Sequence, residues 1–138
     1  MDRPIGIFDS GIGGLTIVKE IMDMLPNENI IYFGDTARLP YGTKSKETVT
    51  RFSIQCIKFL LEREVKAIVM ACNTASASSL DKVRQSFDLP IIGVVEPGAK
   101  TACNMTESGK IGIIGTEATV ASGAYERAIH CINNGVEM

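Results

Sequence analysis

Short apolar runs alternate with longer amphipathic stretches along this chain, and the alternation predicts its elements. Ile5-Gly6-Ile7-Phe8, Ile30-Ile31-Tyr32-Phe33, Ala67-Ile68-Val69-Met70 and Ile91-Ile92-Gly93-Val94-Val95 are apolar runs of strand length. Runs of this kind, rich in β-branched residues, read as strands buried on both faces. Between them the apolar positions fall at helical spacing. Leu15, Ile17, Val18, Ile21, Met22 and Leu25 form one stripe, stopped by Pro26. Val49, Phe52, Ile57, Leu60 and Leu61 form another, on a long helix to about Arg63 that Ser45 caps, with Glu47 in its first turn. Asn73 and Thr74 are good capping residues for a helix from about Ala75 to Phe87. A short helix near Ala99 to Met105, a fifth strand over Lys110 to Gly115 and a last helix carrying Tyr125, Ala128, Ile129 and Ile132 complete the pattern.

Strand–helix alternation means an α/β fold: a parallel sheet with helices on both faces, in three layers, joined by right-handed crossovers. Ile5-Gly6-Ile7-Phe8 is echoed by Ile111-Gly112-Ile113-Ile114, each followed by a polar turn and a helix. The echo predicts a first domain over 1–97 and the beginning of a second, similar one over 98–138. In sheets of this kind ligands sit at the carboxyl ends of the strands. That rule gathers Asp9, Ser10, the Tyr41 loop, Cys72-Asn73-Thr74, Glu96 and Thr116 to Thr119 on one rim. The loop from Thr36 to Ser45 is long for a strand-to-helix connection, which marks it as a functional segment.

Composition narrows the classes. The chain has 138 residues, 45% of them hydrophobic and 22% charged, with a net charge of -2. A packed globular core is expected, without a basic nucleic-acid surface. No window reaches the length of a membrane-spanning helix, and the start shows no signal-peptide apolar region. Cys56, Cys72, Cys103 and Cys131 form no C-x-x-C pair, and His130 is the single histidine, so no zinc site is expected. Free thiols without an export signal point to a reducing cytoplasm.

The candidate chemistry centres on Cys72, a thiol where a buried strand hands over to a helix. Backbone N–H groups and the helix dipole lower a thiol's pKa in such a place and also bind carboxylates. A base or nucleophile is one reading, a small buried cysteine packing the strand end the other. Gly11 and Gly13 fit the start of a dinucleotide fingerprint, but Thr16 stands at its last glycine, and no phosphate-loop run occurs anywhere. Asp9 fits either a helix cap or an acceptor for a ligand ammonium. Tyr41 either covers the sheet edge or presents its phenol to a ligand. His130 reads as a solvated surface residue, Cys56 and Cys103 as structural. Together an acidic group, a hydroxyl, capped helix starts and one thiol suit a small zwitterion, an amino acid. Chemistry at its α-carbon without a cofactor requires a nearby base, and a thiolate serves if donors offset the carboxylate's charge.

Asp9-Ser10-Gly11-Ile12-Gly13-Gly14, Pro40-Tyr41-Gly42, Ala71-Cys72-Asn73-Thr74-Ala75, Gly93-Val94-Val95-Glu96-Pro97-Gly98 and Gly115-Thr116-Glu117-Ala118-Thr119-Val120 together resemble bacterial glutamate racemases. The matches run in the family's order across nearly the whole chain. The resemblance implies a cofactor-independent isomerase that interconverts L- and D-glutamate and supplies D-glutamate for peptidoglycan. It implies two similar α/β domains with substrate between them, and a dimer. Two cysteines flank the α-carbon in that family, one removing a proton and the other returning one to the opposite face. Cys72 looks like the first. Asp9 and Ser10 look like contacts near the ammonium and the thiol. Pro40, Tyr41, Gly42, Asn73, Thr74, Thr116 and Thr119 look like carboxylate-binding or site-lining residues; Asp35 and Glu96 fall in matching stretches without a definite role.

The departure is the second cysteine, which the family carries in a Cys-Thr-His motif absent here. The chain therefore looks like a racemase truncated to about its N-terminal half. One strand and one helix bury too little for a second core. Residues after about Lys110 are expected to pack on the first sheet or to pair with another copy. The rival functions are a related aspartate racemase and a non-catalytic amino-acid-binding or interaction module.

Overall fold

The structure, a computed structural model, describes residues 3–138. The four apolar runs of the first hundred residues are strands: β1 (Ile5–Asp9), β2 (Ile30–Gly34), β3 (Ala67–Met70) and β4 (Ile91–Gly93). All pair in parallel, in the order β2-β1-β3-β4. Alternation along each strand sends side chains to opposite faces. From β1, Ile5 and Ile7 go to one face and Phe8 to the other; from β3, Val69 joins the first face and Ile68 and Met70 the second. Both faces are covered, which is why the strands are apolar throughout rather than alternating.

Helix α1 (Leu15–Met24) covers the first face with Ile17, Val18 and Ile21. The rest of its predicted stripe, Leu15, Met22 and Leu25, stays half exposed. Helices α2 (Lys46–Leu61) and α3 (Asn73–Ser86) cover the second face through Val49, Cys56, Ile57, Leu60, Ala75, Leu80 and Val83. Full burial of side chains such as Ile57 and Leu60 is worth about 1.5–3 kcal/mol each. Ser45 caps α2 as expected, its Oγ accepting from Thr48 N at 3.2 Å. The chain leaves β1 for β2 on one side and reaches β3 on the other. The carboxyl ends of β1 and β3 therefore flank the switch point of the sheet.

Past β4 the structure departs from the sequence reading. The fourth strand is shorter than expected, because Val95 already opens α4 (Val95–Met105). Pro97 sits in its first turn, where a missing N–H costs nothing. This helix runs unbroken across residue 97, where the sequence suggested a domain boundary. The expected fifth strand over Lys110 to Gly115 does not form. A ladder needs a neighbouring strand, and only a single bridge, Lys110 to Glu137, is made. The alternation survives without the ladder: Ile111 and Ile113 turn inward while Ile114 lies in solvent. Helices α5 (Glu117–Ala121) and α6 (Ala124–Ile132) follow. Residues 110–138 pack on helices of the same chain rather than on the sheet, around Ala99, Ile129 and Val136.

Candidate active site at the sheet switch point

Cys72 is the N-cap of α3 itself. The sequence reading placed the cap at Asn73 and Thr74 and the helix start at about Ala75, but the helix begins two residues earlier, at Asn73. The residue leaving the strand keeps extended backbone (φ -89, ψ 120), the geometry an N-cap requires. Its Sγ accepts from Ala75 N at 3.4 Å, taking the place a serine or aspartate oxygen usually fills. The same sulfur lies 3.4 Å from Ser10 Oγ across the switch point. Burial pushes the thiol above its ordinary pKa, and the Asp9 carboxylate pushes it further; the Ser10 hydroxyl and the Ala75 N–H pull the other way. Burial wins, so the group rests as a neutral thiol.

Asp9 is buried at the end of β1. Its Oδ2 accepts from Gly11 N at 3.2 Å and Gly14 N at 3.0 Å, so the carboxylate ties down the glycine-rich turn and caps the start of α1. It also lines the cavity in front of Cys72 and is close enough to act on the thiol. Both roles read from the sequence are open to it. Tyr32 braces the same turn, its hydroxyl donating to Gly11 O at 2.8 Å. Desolvation and Asp9 hold this phenol up at about 12, so it stays a donor. That role was not legible from the residue pattern, since Tyr32 sits within an apolar strand run.

The cavity at the thiol has a volume of about 500 Å³, and Asp9, Ser10, Cys72, Asn73 and Thr74 all line it. Thr74 borders this cavity, and Thr116 and Thr119, which line a neighbouring cavity instead, join it in a triangle of hydroxyls, 2.9 Å from Thr74 to Thr116, 3.3 Å from Thr74 to Thr119 and 2.9 Å between the last two. Thr116 approaches this closely because residue 42 is glycine. A Cβ there would stand 2.5 Å from Thr116 Cβ.

Pro40 is exposed, and the Leu39–Pro40 bond is cis. Tyr41 turns away from the cavity. Its ring is fully buried, and its hydroxyl donates to Asp35 Oδ2 at 2.5 Å beside Cys56. Arg38 completes this cluster, with Nε donating to the same carboxylate at 2.6 Å, further contacts to Gln55 and Cys56, and its guanidinium over the Phe52 ring. Tyr41 thus covers the sheet edge and anchors the loop, and none of Pro40, Tyr41 and Gly42 lines the cavity at Cys72. Arg38 was missed in the sequence, although the Asp35–Arg38 spacing of three was its available signal.

One expected rim member lies elsewhere. Glu96 pairs with Arg84 at 3.1 Å, outside the thiol's cavity, because α4 starts early and carries it away. His130 is exposed on α6. Cys56 is buried against Tyr41, Cys103 reaches toward Ile129 O, and Cys131 is exposed. Among the described residues no group of three His, Cys, Asp or Glu side chains is placed to hold a metal ion, and no helix is long and apolar enough to cross a membrane.

Known proteins share this sequence and fold. The family model described as Asp/Glu/Hydantoin racemase matches residues 13–138. The chain belongs to that family. A glutamate racemase from Geobacter metallireducens is 57% identical over 136 residues, covering 99% of this chain and 50% of the relative. A glutamate racemase isoform from Bacillus anthracis superposes with a TM-score of 0.94 at 44% identity, over 98% of this chain and 51% of that one. A glutamate racemase from Francisella tularensis, solved in complex with D-glutamate, gives 0.90 at 52% identity, over 99% and 51%. The chain spans about half the length of the racemases it matches.

Proposed function

We propose that this chain carries one half of a cofactor-independent glutamate racemase site, with Cys72 as the acid/base group for one face of the α-carbon. The observation that supports the reading most is the thiol at the cap of α3, facing a cavity shared with Asp9, Ser10, Asn73 and Thr74. A glutamate ammonium set near Asp9 offsets that carboxylate's share in raising the thiol's pKa, a smaller share than burial's. The thiol first releases its proton to solvent, and the thiolate then takes the α-proton: the S–H bond re-forms as the Cα–H bond breaks, and the electron pair moves into the substrate carboxylate. The N–H groups opening α3 and the Thr74, Thr116 and Thr119 hydroxyls are the donors that stabilise that charge. Gly42 serves the site by leaving room for Thr116, and Tyr41 by anchoring the loop.

Return of a proton to the opposite face needs a second acid. Cys56, Cys103 and Cys131 do not line the cavity at Cys72, so none of them fills that role from its place here. With the reading go a supply of D-glutamate for peptidoglycan, a cytoplasmic setting that the free cysteines support, and a homodimer, for which the half-exposed Leu15, Met22 and Leu25 offer a face.

Proton NMR of L- and D-glutamate in deuterated water, with this chain and with Cys72→Ala, tests the proposal. The expected result is exchange of the α-proton of one enantiomer without inversion, rising with pH as the thiol ionises, and about 10²–10⁴-fold slower in the variant. Binding of glutamate with no exchange in either protein favours the non-catalytic binding module instead. A preference for aspartate over glutamate moves the assignment to the sister racemase.

A further inference from the structure

Tyr125 lies on α6, half-buried, and its hydroxyl donates to Asn73 Oδ1 at 2.5 Å. Asn73 is the residue after the catalytic thiol. It borders both the cavity at Cys72 and a neighbouring one of about 460 Å³ that Tyr125 lines. Asn73 thus forms part of the wall between them, with the phenol on one side and the thiol on the other.

An amide side chain has an acceptor end and a two-donor end of nearly the same shape, so sterics alone do not choose its orientation. A carboxylate ligand is acceptor-only and is recognised by the NH₂ end alone. In the structure Tyr125 donates to Oδ1, which turns the NH₂ end away from the phenol. Tyr125 is itself held in place: Ile129, one helical turn on, is buried against Ala99 and Val136. Gly98 leaves just enough room for the ring, since a Cβ there would stand 3.3 Å from Tyr125 Cε1 and 3.4 Å from its hydroxyl oxygen. Burial raises the pKa of the phenol, which keeps it a proton donor throughout the neutral range.

We propose that Tyr125 is a positioning residue for the racemase site: by donating to Asn73 Oδ1 it fixes the amide and leaves the Asn73 NH₂ as a donor to the carboxylate of the bound amino acid. The role rests on the glutamate reading for its ligand, but not for its geometry. It also gives the segment beyond β4 a task at the thiol. Together with the Thr74–Thr116–Thr119 triangle, it places α5 and α6 as a second wall that orients the first turn of α3.

Two readouts on the full chain separate the proposal from the reading it rests on. In ¹⁵N-labelled protein the Asn73 side-chain NH₂ pair, assigned with Asn73→Ala, is expected to shift in Tyr125→Phe while the other asparagine pairs stay in place. Glutamate titration is expected to show affinity weakened about five- to tenfold in Tyr125→Phe, the worth of one hydrogen bond. In an Asn73→Ala background the same substitution is expected to cost nothing further. An unmoved Asn73 signal overturns the proposal, and so does an equal loss in the Asn73→Ala background. If the unaltered chain binds no glutamate, the functional reading fails and the amide signal alone decides the positioning role. Preserved backbone amide shifts in β1 and β3 check that Tyr125→Phe is folded.

Discussion

The segment up to β4 and the segment after it are written in the same residue pattern and end up differently. In the first, each of β1 and β3 has a strand on both sides, and helices seal both faces of the sheet. In the second, Ile111-Gly112-Ile113-Ile114 has the composition of a buried strand but one bridge for a partner, and Ile114 is almost entirely in solvent. Its core is three buried residues, Ala99, Ile129 and Val136, with partly buried neighbours. The lesson is that a parallel strand is a property of a sheet and not of a run of residues. The division of labour follows the same line: the first segment holds the thiol and the carboxylate, while the second contributes hydroxyls.

The largest effect that tests this contrast comes from core truncation. Ile68→Ala, in the sealed face of β3, is expected to cost about 2–5 kcal/mol in chemical denaturation, with loss of structure throughout. Ile129→Ala is expected instead to open residues 110–138 while β1 and β3 keep their hydrogen-exchange protection. Global unfolding by Ile129→Ala would show that the two segments form one cooperative unit.

A smaller effect concerns pH. Cys56, between α2 and the Tyr41 cluster, is pushed up to about 11, chiefly by burial. Its folded pKa is raised, so its contribution to stability is complete below the ordinary thiol value and fades as pH rises through about 11. Stability is therefore expected to fall between about pH 9 and 11, less steeply in Cys56→Ala. An identical slope in the variant would remove Cys56 from the cause. Smallest of all, Ile114→Ala is expected to change stability by less than about 0.5 kcal/mol, since its side chain touches water on nearly every side. A larger loss would mean that Ile114 is buried in solution, against a second copy for instance, and would blur the contrast.

The four strands, the cap of α2 by Ser45 and the thiol at the end of β3 were all legible in the residues, because each depends on neighbours close in sequence. The start of α3 was not. Residue preferences favour Asn73 or Thr74 as the cap, yet the strand ends so close to the helix that Cys72 is the last extended residue and takes the cap position. Tyr41 shows a different case: the sequence left it open between covering the sheet edge and presenting its phenol, and the first holds because Asp35 and Cys56, from the preceding loop and α2, meet its hydroxyl while Arg38 braces Asp35. Glu96 left the site for a related reason, the early start of α4.

By itself, then, the sequence determined the alternation of strands and helices, the parallel sheet and the rim on which ligands bind, since periodicity and handedness are local rules applied residue by residue. Tertiary structure alone decided which apolar run became a strand, which residue capped α3, and how Tyr125 meets Asn73 and Thr116 meets Thr74. Those pairs lie 52 and 42 residues apart. No short-range signal encodes contacts at such separations, because they exist only once packing has brought distant helices to one place.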